Sequence, residues 1–227
     1  MRQCKRVGID LSWRCSADCK TCFYHFDERL HKKIDRPLSD IKKQIDAAKA
    51  RGCDHVVLVG WGEPTIAPTC IETIKYCTET GMKSSIITNG LQSVETYEQI
   101  TAAGLDHWHV STHGLNETLD EVMNVHGAGK RQQEFISWLM NNNISWRSNT
   151  TLQKSNYKQL HDIAERNAMY GCNHFVSLGF LPHYLWNEPK NASQVIVSPK
   201  NLQSHIESAG EMCLDNGVLF TIRYHPM

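Results

Sequence analysis

Three thiols stand within eight residues, Cys15, Cys19 and Cys22, in the order Cys-x3-Cys-x2-Cys. Thiolates are soft ligands, and this spacing lets three of them grip three corners of one compact metal centre. A [4Fe–4S] cluster normally takes four cysteines. Three leave one iron open, and an open coordination position separates a catalytic metal site from a closed structural one. Two other chemistries fit the same thiols. One is a structural zinc with Cys4 or His25 as fourth ligand; the other is a thioredoxin-like dithiol at Cys19-Lys20-Thr21-Cys22. A third cysteine, and the lack of that fold's pattern, count against the dithiol. The remaining six cysteines (Cys4, Cys53, Cys70, Cys77, Cys172 and Cys213) are scattered singly.

Other residues capable of chemistry stand just past short apolar runs. They are Gly60-Trp61-Gly62-Glu63-Pro64, Thr88-Asn89-Gly90, Ser111-Thr112-His113-Gly114, the alternating Asn149, Thr151 and Gln153, then Pro182-His183, and Arg223 with His225. Lone histidines such as His113, His183 and His225 are more often hydrogen-bonded structural residues than ligands. Trp138 reads as core, whereas Trp61 and Trp186 are candidates for lining a substrate pocket. Gly127-Ala128-Gly129-Lys130 lacks the full spacing, the preceding strand and the Ser or Thr of a phosphate loop. A Gly-x-Asp/Asn-His pattern recurs at Gly52–His55, Gly104–His107 and Gly171–His174. It invites a metal reading, but helix termination and turn formation account for it.

The elements that must position these groups are legible from apolar spacing and glycine stops. Helices are expected from Ser39 to Gly52, Cys70 to Gly81, Ser93 to Gly104, Asn156 to Gly171 and Ser198-Pro199 to Gly217, with one or two more between 116 and 142. Strands are expected at Val7–Leu11, His55–Val59, Lys83–Ile87, His107–Ser111, Ser145–Leu152, His174–Leu178 and Val218–Tyr224. Alternating strands and helices imply an α/β fold with a parallel sheet and right-handed crossovers. A complete eight-stranded barrel takes about 250 residues. Six strand–helix units and one further strand therefore predict a partial (β/α)6 TIM-like open barrel with an additional C-terminal strand, as one domain over residues 1–227. The chemistry-bearing motifs then converge on the rim at the carboxyl ends of the strands, and the three histidine tetrads lie at the opposite end.

The chain has 227 residues, 41% hydrophobic and 21% charged, the composition of a folded globular domain rather than a disordered one. No apolar run approaches the ~20 residues a membrane span needs, and the basic start carries no apolar segment of a secretory signal. Nine cysteines, an odd number, fit reduced cytoplasmic thiols plus one metal site. Lys plus Arg (24) balance Asp plus Glu (24), which argues against a protein held to nucleic acid through its phosphates.

Taken together, the three cysteines and Gly62-Glu63-Pro64 after the second strand resemble the radical S-adenosylmethionine (radical SAM) superfamily, with weaker matches at Thr88-Asn89-Gly90, Ser111 and Asn149. The resemblance spans essentially the whole chain. It implies an enzyme in which Cys15, Cys19 and Cys22 hold a [4Fe–4S] cluster. An electron from a donor such as flavodoxin or ferredoxin would cleave S-adenosylmethionine to a 5′-deoxyadenosyl radical that abstracts a substrate hydrogen. Gly62, Glu63 and Pro64 would take the methionine ammonium through backbone carbonyls. Ser111 and Asn149 would hold the ribose or carboxylate, and Phe180 and Leu181 would pack on adenine. Two positions depart from the family pattern: Thr21 stands where an aromatic residue is usual, and Trp61 replaces the first glycine of Gly-Gly-Glu-Pro. No cysteine-rich tail follows the last strand, so a single cluster is expected. A peptide or protein substrate is expected to close the open flank beside Trp186 and Pro182-His183. A small molecule would serve if the 180–197 segment folded over as a lid. A non-catalytic zinc- or iron–sulfur-binding protein on the same barrel is the alternative.

Overall fold

The computed structural model describes residues 5–22, 34–179 and 195–223. Among the described residues, seven parallel strands form one sheet in sequential order: β1 (Arg6–Ile9), β2 (His55–Leu58), β3 (Lys83–Thr88), β4 (His107–Ser111), β5 (Trp146–Leu152), β6 (Cys172–Gly179) and β7 (Leu219–Arg223). Helices α1 (Leu38–Ala50), α2 (Cys70–Glu79), α3 (Val94–Ala102), α4 (Asn116–Met123), α5 (Ala128–Asn141), α6 (Leu160–Met169) and α7 (Pro199–Asp215) fill the crossovers. Strands β1 and β7 do not pair with each other, so the sheet is an open part-barrel, as the unit count predicts. No described helix is long and apolar enough to cross a membrane.

Period-two alternation divides each strand between two faces. On β4, Trp108 and Val110 enter the core under the helices, while His109 and Ser111 alternate to the concave face. That core joins Ile9, Val56, Leu58 and Ile86 of the strands to Ile41 and Ile45 of α1 and Ile74 of α2. At its centre Tyr97, Trp108 and Phe135 pack ring on ring, with Tyr97 and Phe135 stacked 3.7 Å between centroids. A second core gathers Leu160, Ile163, Phe175, Leu202 and Cys213 around α6, α7 and β6. Between the two cores the sheet is polar. Asn167 of α6 donates to Thr112 Oγ1 and Ser148 Oγ, and those two hydroxyls bond each other.

Helix stops fall where the glycines predict. At Gly104 φ is +102°, and an added Cβ would stand 2.5 Å from Thr78 Oγ1, so only glycine fits. One start differs. Helix α1 begins at Leu38 behind Pro37, and Ser39 lies inside its first turn rather than capping it. Arg36 is tied to the first loop through its N–H to Leu11 O, and the residue before a proline stays extended. The helix therefore starts directly after Pro37, whose carbonyl takes the Asp40 and Ile41 N–H groups.

Candidate cysteine-lined site

The chain leaving β1 is held from both sides. Asp10 accepts from Trp13 Nε1 at 2.7 Å and from the Trp61 N–H at 3.3 Å, which ties the loops after β1 and β2 together. Ser12 Oγ donates to Asp35 at 2.6 Å, and Arg14 forms a 2.9 Å ion pair with the same carboxylate. The Glu63 N–H then donates to Arg14 O at 2.8 Å. A Cβ on Gly62 would lie 2.1 Å from that carbonyl, so the second turn closes on the first only through glycine.

Glu63 is fully buried, and its carboxylate is held by donors from Thr65, Thr88 and Asn89. Thr65 N–H (3.1 Å) and Thr65 Oγ1 (2.6 Å) reach Oε1, while the Asn89 N–H reaches Oε2 at 2.8 Å. Burial raises its pKa, and these hydrogen bonds oppose the rise. Asn89 carries the connection onward. Its Nδ2 donates to Ser16 Oγ at 3.0 Å and approaches Cys15 Sγ at 3.9 Å, and its carbonyl takes Gln132 Nε2 at 2.8 Å. Gln132, buried on α5, also donates to Ser111 O at 3.1 Å, and Ser111 pairs in register with Asn149. The turns after β1, β2 and β3 and the end of β4 thus form one hydrogen-bonded frame.

Cys15, Cys19 and Cys22 line a single cavity of about 470 Å³ together with Arg14, Trp61 and Val125. Their loop is fixed to the end of α4 by Asp18 N–H to Met123 O (3.0 Å) and Lys20 N–H to Val122 O (3.2 Å). Burial pushes the Cys15 thiol up to about 11 and the Cys19 thiol to about 12, and the neighbouring thiols add to each rise. Three thiolates this close need a compensating positive charge, which a bound metal centre supplies. The other described cysteines are buried elsewhere, so none of them is a fourth ligand in this cavity. The donor set fits a cluster with one open iron. The zinc alternative's fourth ligands, Cys4 and His25, lie outside the described residues.

Trp61 lines the cavity at 39% exposure. Asn149 is buried beside half-buried Ser111. His113 takes the Thr151 N–H on Nδ1 at 3.1 Å, and burial lowers it to about 4, a neutral ring. Asn156 secures it by donating to His113 O (2.7 Å) and Thr151 O (2.9 Å). Phe180, Leu181, His183, Trp186 and His225 lie outside the described residues. At Gly127 and Gly129 the N–H groups that could cradle a phosphate are taken by Asp120, at 2.6 and 2.8 Å. Sequence reading passed over Asp10, Gln132 and the Arg14–Asp35 pair. Gln132 left a signal, being polar within the buried stripe Ala128, Phe135, Ile136 and Leu139.

A family model described as the Radical SAM superfamily matches residues 11–167. The chain is 26% identical over 162 residues to the PqqA peptide cyclase of Bradyrhizobium diazoefficiens, covering 70% of the chain and 42% of that relative. It is 28% identical over 155 residues to the AdoMet-dependent heme synthase of Methanosarcina barkeri, covering 66% and 44% respectively. The chain thus spans less than half the length of these curated relatives. Among solved structures, Streptococcus suis SuiB bound to the precursor peptide SuiA superposes with a TM-score of 0.76 at 18% identity, over 98% of this chain and 49% of that one. That likeness carries the fold.

Proposed function

The chain belongs to the radical SAM superfamily, and on that premise we propose that it is the cluster-bearing core of an enzyme that cleaves S-adenosylmethionine reductively and abstracts a hydrogen from a peptide. The observation that carries this is the frame of Cys15, Asn89, Glu63 and Gln132, which holds the three-thiol cavity and the Gly62-Glu63-Pro64 turn against each other. When bound, a [4Fe–4S] cluster supplies the electron that breaks the sulfonium and leaves a 5′-deoxyadenosyl radical. Cys15, Cys19 and Cys22 are the ligands. Glu63 orients the turn whose carbonyls receive the methionine ammonium. Ser111 and Asn149, side by side, bind the ribose or carboxylate. Phe180 and Leu181, outside the described residues, are assigned to the adenine.

Two relatives support a peptide substrate, one a peptide cyclase by name and the other solved with a precursor peptide. The open flank between β1 and β7 gives such a chain a way in. A small donor such as flavodoxin or ferredoxin, in a reducing cytoplasm, supplies the electron. Residues 1–227 act as one radical SAM core domain.

Anaerobic reconstitution tests this. About four irons per chain, 5′-deoxyadenosine formed on reduction, and loss of the cluster's visible absorbance in Cys15→Ala, Cys19→Ala and Cys22→Ala but not Cys53→Ala are expected. One zinc per chain and no 5′-deoxyadenosine from the reduced protein would establish a binding protein instead.

A further inference from the structure

The end of the barrel opposite the cysteines holds a second cluster of functional groups. The strands begin here, and Arg6, His55, His107, His109, Arg147 and His174 surround a cavity of about 160 Å³. Five strands contribute to it, from β1 to β6. Three of these histidines belong to the repeated Gly-x-Asp/Asn-His tetrads, which the curvature of the sheet brings to one place. We propose that this mouth is a binding site for a small, doubly charged oxyanion, inorganic phosphate or the phosphate group of a small ester.

Charge and hydrogen bonding both point to an anion. Among the described residues no carboxylate lines the cavity. Arg223 of β7 adds its charge and is felt by both Arg147 and His174. His109 is driven to about 3, first by burial and then by Arg147, His107, His55 and Arg6. Asp54 and Asp106 act on His55, but less than burial, Arg6 and His107 do. Asp106 also spends one carboxylate oxygen on the Ser84 N–H at 2.7 Å.

Two of the rings are already oriented. His55 Nε2 bonds Ser85 Oγ at 2.9 Å, and His174 Nε2 bonds Thr221 Oγ1 at 2.8 Å. The Nε of Arg147 is buried with no hydrogen-bond partner. An orphaned donor on a charged group is costly, and an oxyanion is the natural complement of a guanidinium fork. A metal cation fits poorly. Among the described residues, the only His, Cys, Asp or Glu atoms spaced for one ion belong to His161, Asp162 and Glu165 on α6. Arginines at the mouth would also repel a cation.

The test is thermal unfolding of the whole protein with inorganic phosphate, with ethyl phosphate, and with sodium chloride at matched ionic strength. At a hundredfold excess over Kd, phosphate should raise the Tm by about 5–10 °C, with chloride doing much less. A larger rise with ethyl phosphate would identify the ester as the source of the group, and the reverse would identify the free ion. Arg147→Gln should lose the rise, and Arg147→Lys should keep part of it. Equal rises with phosphate and chloride, or an undiminished rise in Arg147→Gln, would overturn the proposal. Should Arg147→Gln fail to fold, histidine ring NMR of the natural protein decides the matter. Phosphate should shift His55, His107, His109 and His174 and leave His113, at the far end, in place. No shift in those four, or an equal shift in His113, would also overturn it.

Discussion

Glu63 and Asn89 are joined across two strand ends, the Asn89 main-chain N–H donating to Glu63 Oε2 at 2.8 Å. An acidic residue in a glycine-rich turn invites the reading that its carboxylate meets the ligand. Here both oxygens are taken by Thr65 and Asn89, so the acid holds the turn after β2 to the turn after β3. Under the proposed function, ligand binding is left to the backbone that the acid arranges.

Glu63→Gln tests that division of labour. A glutamine offers one acceptor and one donor group to a site built of donors alone. At least one buried N–H or O–H loses its partner, at a cost of ~1–3 kcal/mol. Thermal unfolding of the metal-free protein should show it as a Tm lowered by roughly 2–10 °C. Reconstituted protein should keep its iron content while binding S-adenosylmethionine more weakly. Stability equal to the natural protein would mean the carboxylate does not fasten the two turns.

Asn89 reaches Cys15 Sγ at 3.9 Å while its main chain serves Glu63 and Gln132. Asn89→Ala removes the side-chain donor and keeps the main-chain bonds. Hydrogen bonds to cysteine sulfur raise cluster potentials. The midpoint potential, followed by electron paramagnetic resonance, should therefore fall by about 20–60 mV, a tenfold change in a one-electron equilibrium being 59 mV. An unchanged potential in a fully loaded cluster would show that this amide does not act on the metal centre.

The ring of Phe135 stacks on Tyr97, meets Trp108 edge-on at 5.2 Å, and lies under Gly90, where an added Cβ would come 3.1 Å from it. It supports the same turn that Asn89 decorates. Phe135→Ala should cost ~3–5 kcal/mol in urea denaturation. A loss below about 1 kcal/mol would mean that the neighbouring rings close the gap.

How far the sequence foretold this depends on whether a feature is local. The β4 strand His107–Ser111 and the stop at Gly104 follow from alternation and one glycine, and both are found where expected. The start of α1 was displaced because Asp35 and Arg36 are anchored to a loop some twenty residues earlier, a contact that propensity at Ser39 cannot register. Gln132 was visible as an interruption of an apolar stripe, but its partners Asn89 and Ser111 come from two other strand ends. The histidine tetrads behave likewise. The tetrads at Gly52 and Gly104 read correctly as turns, whereas Cys172, Asn173 and His174 already belong to β6, and only the curvature of the whole sheet places His55, His107 and His174 around one cavity.

The remaining prediction concerns acid. His113 has its pKa lowered from 6.5 to about 4 by burial, and its Nδ1 accepts the Thr151 N–H, which a protonated ring could not do. A histidine depressed in the folded state binds its proton more readily when unfolded. The unfolded chain therefore gains protons first as pH falls below about 6.5, and stability falls with it until about pH 4. The slope approaches ~1.4 kcal/mol per pH unit for each such ring. His109, lowered to about 3, pulls in the same direction. In His113→Asn the amide oxygen can take the Thr151 N–H but does not titrate. Urea denaturation at several pH values between 4 and 7 should show the variant gaining on the natural protein as the pH drops, by up to ~1.4 kcal/mol per unit. Parallel pH profiles for the two proteins would mean that His113 is already solvated and protonates freely in the fold.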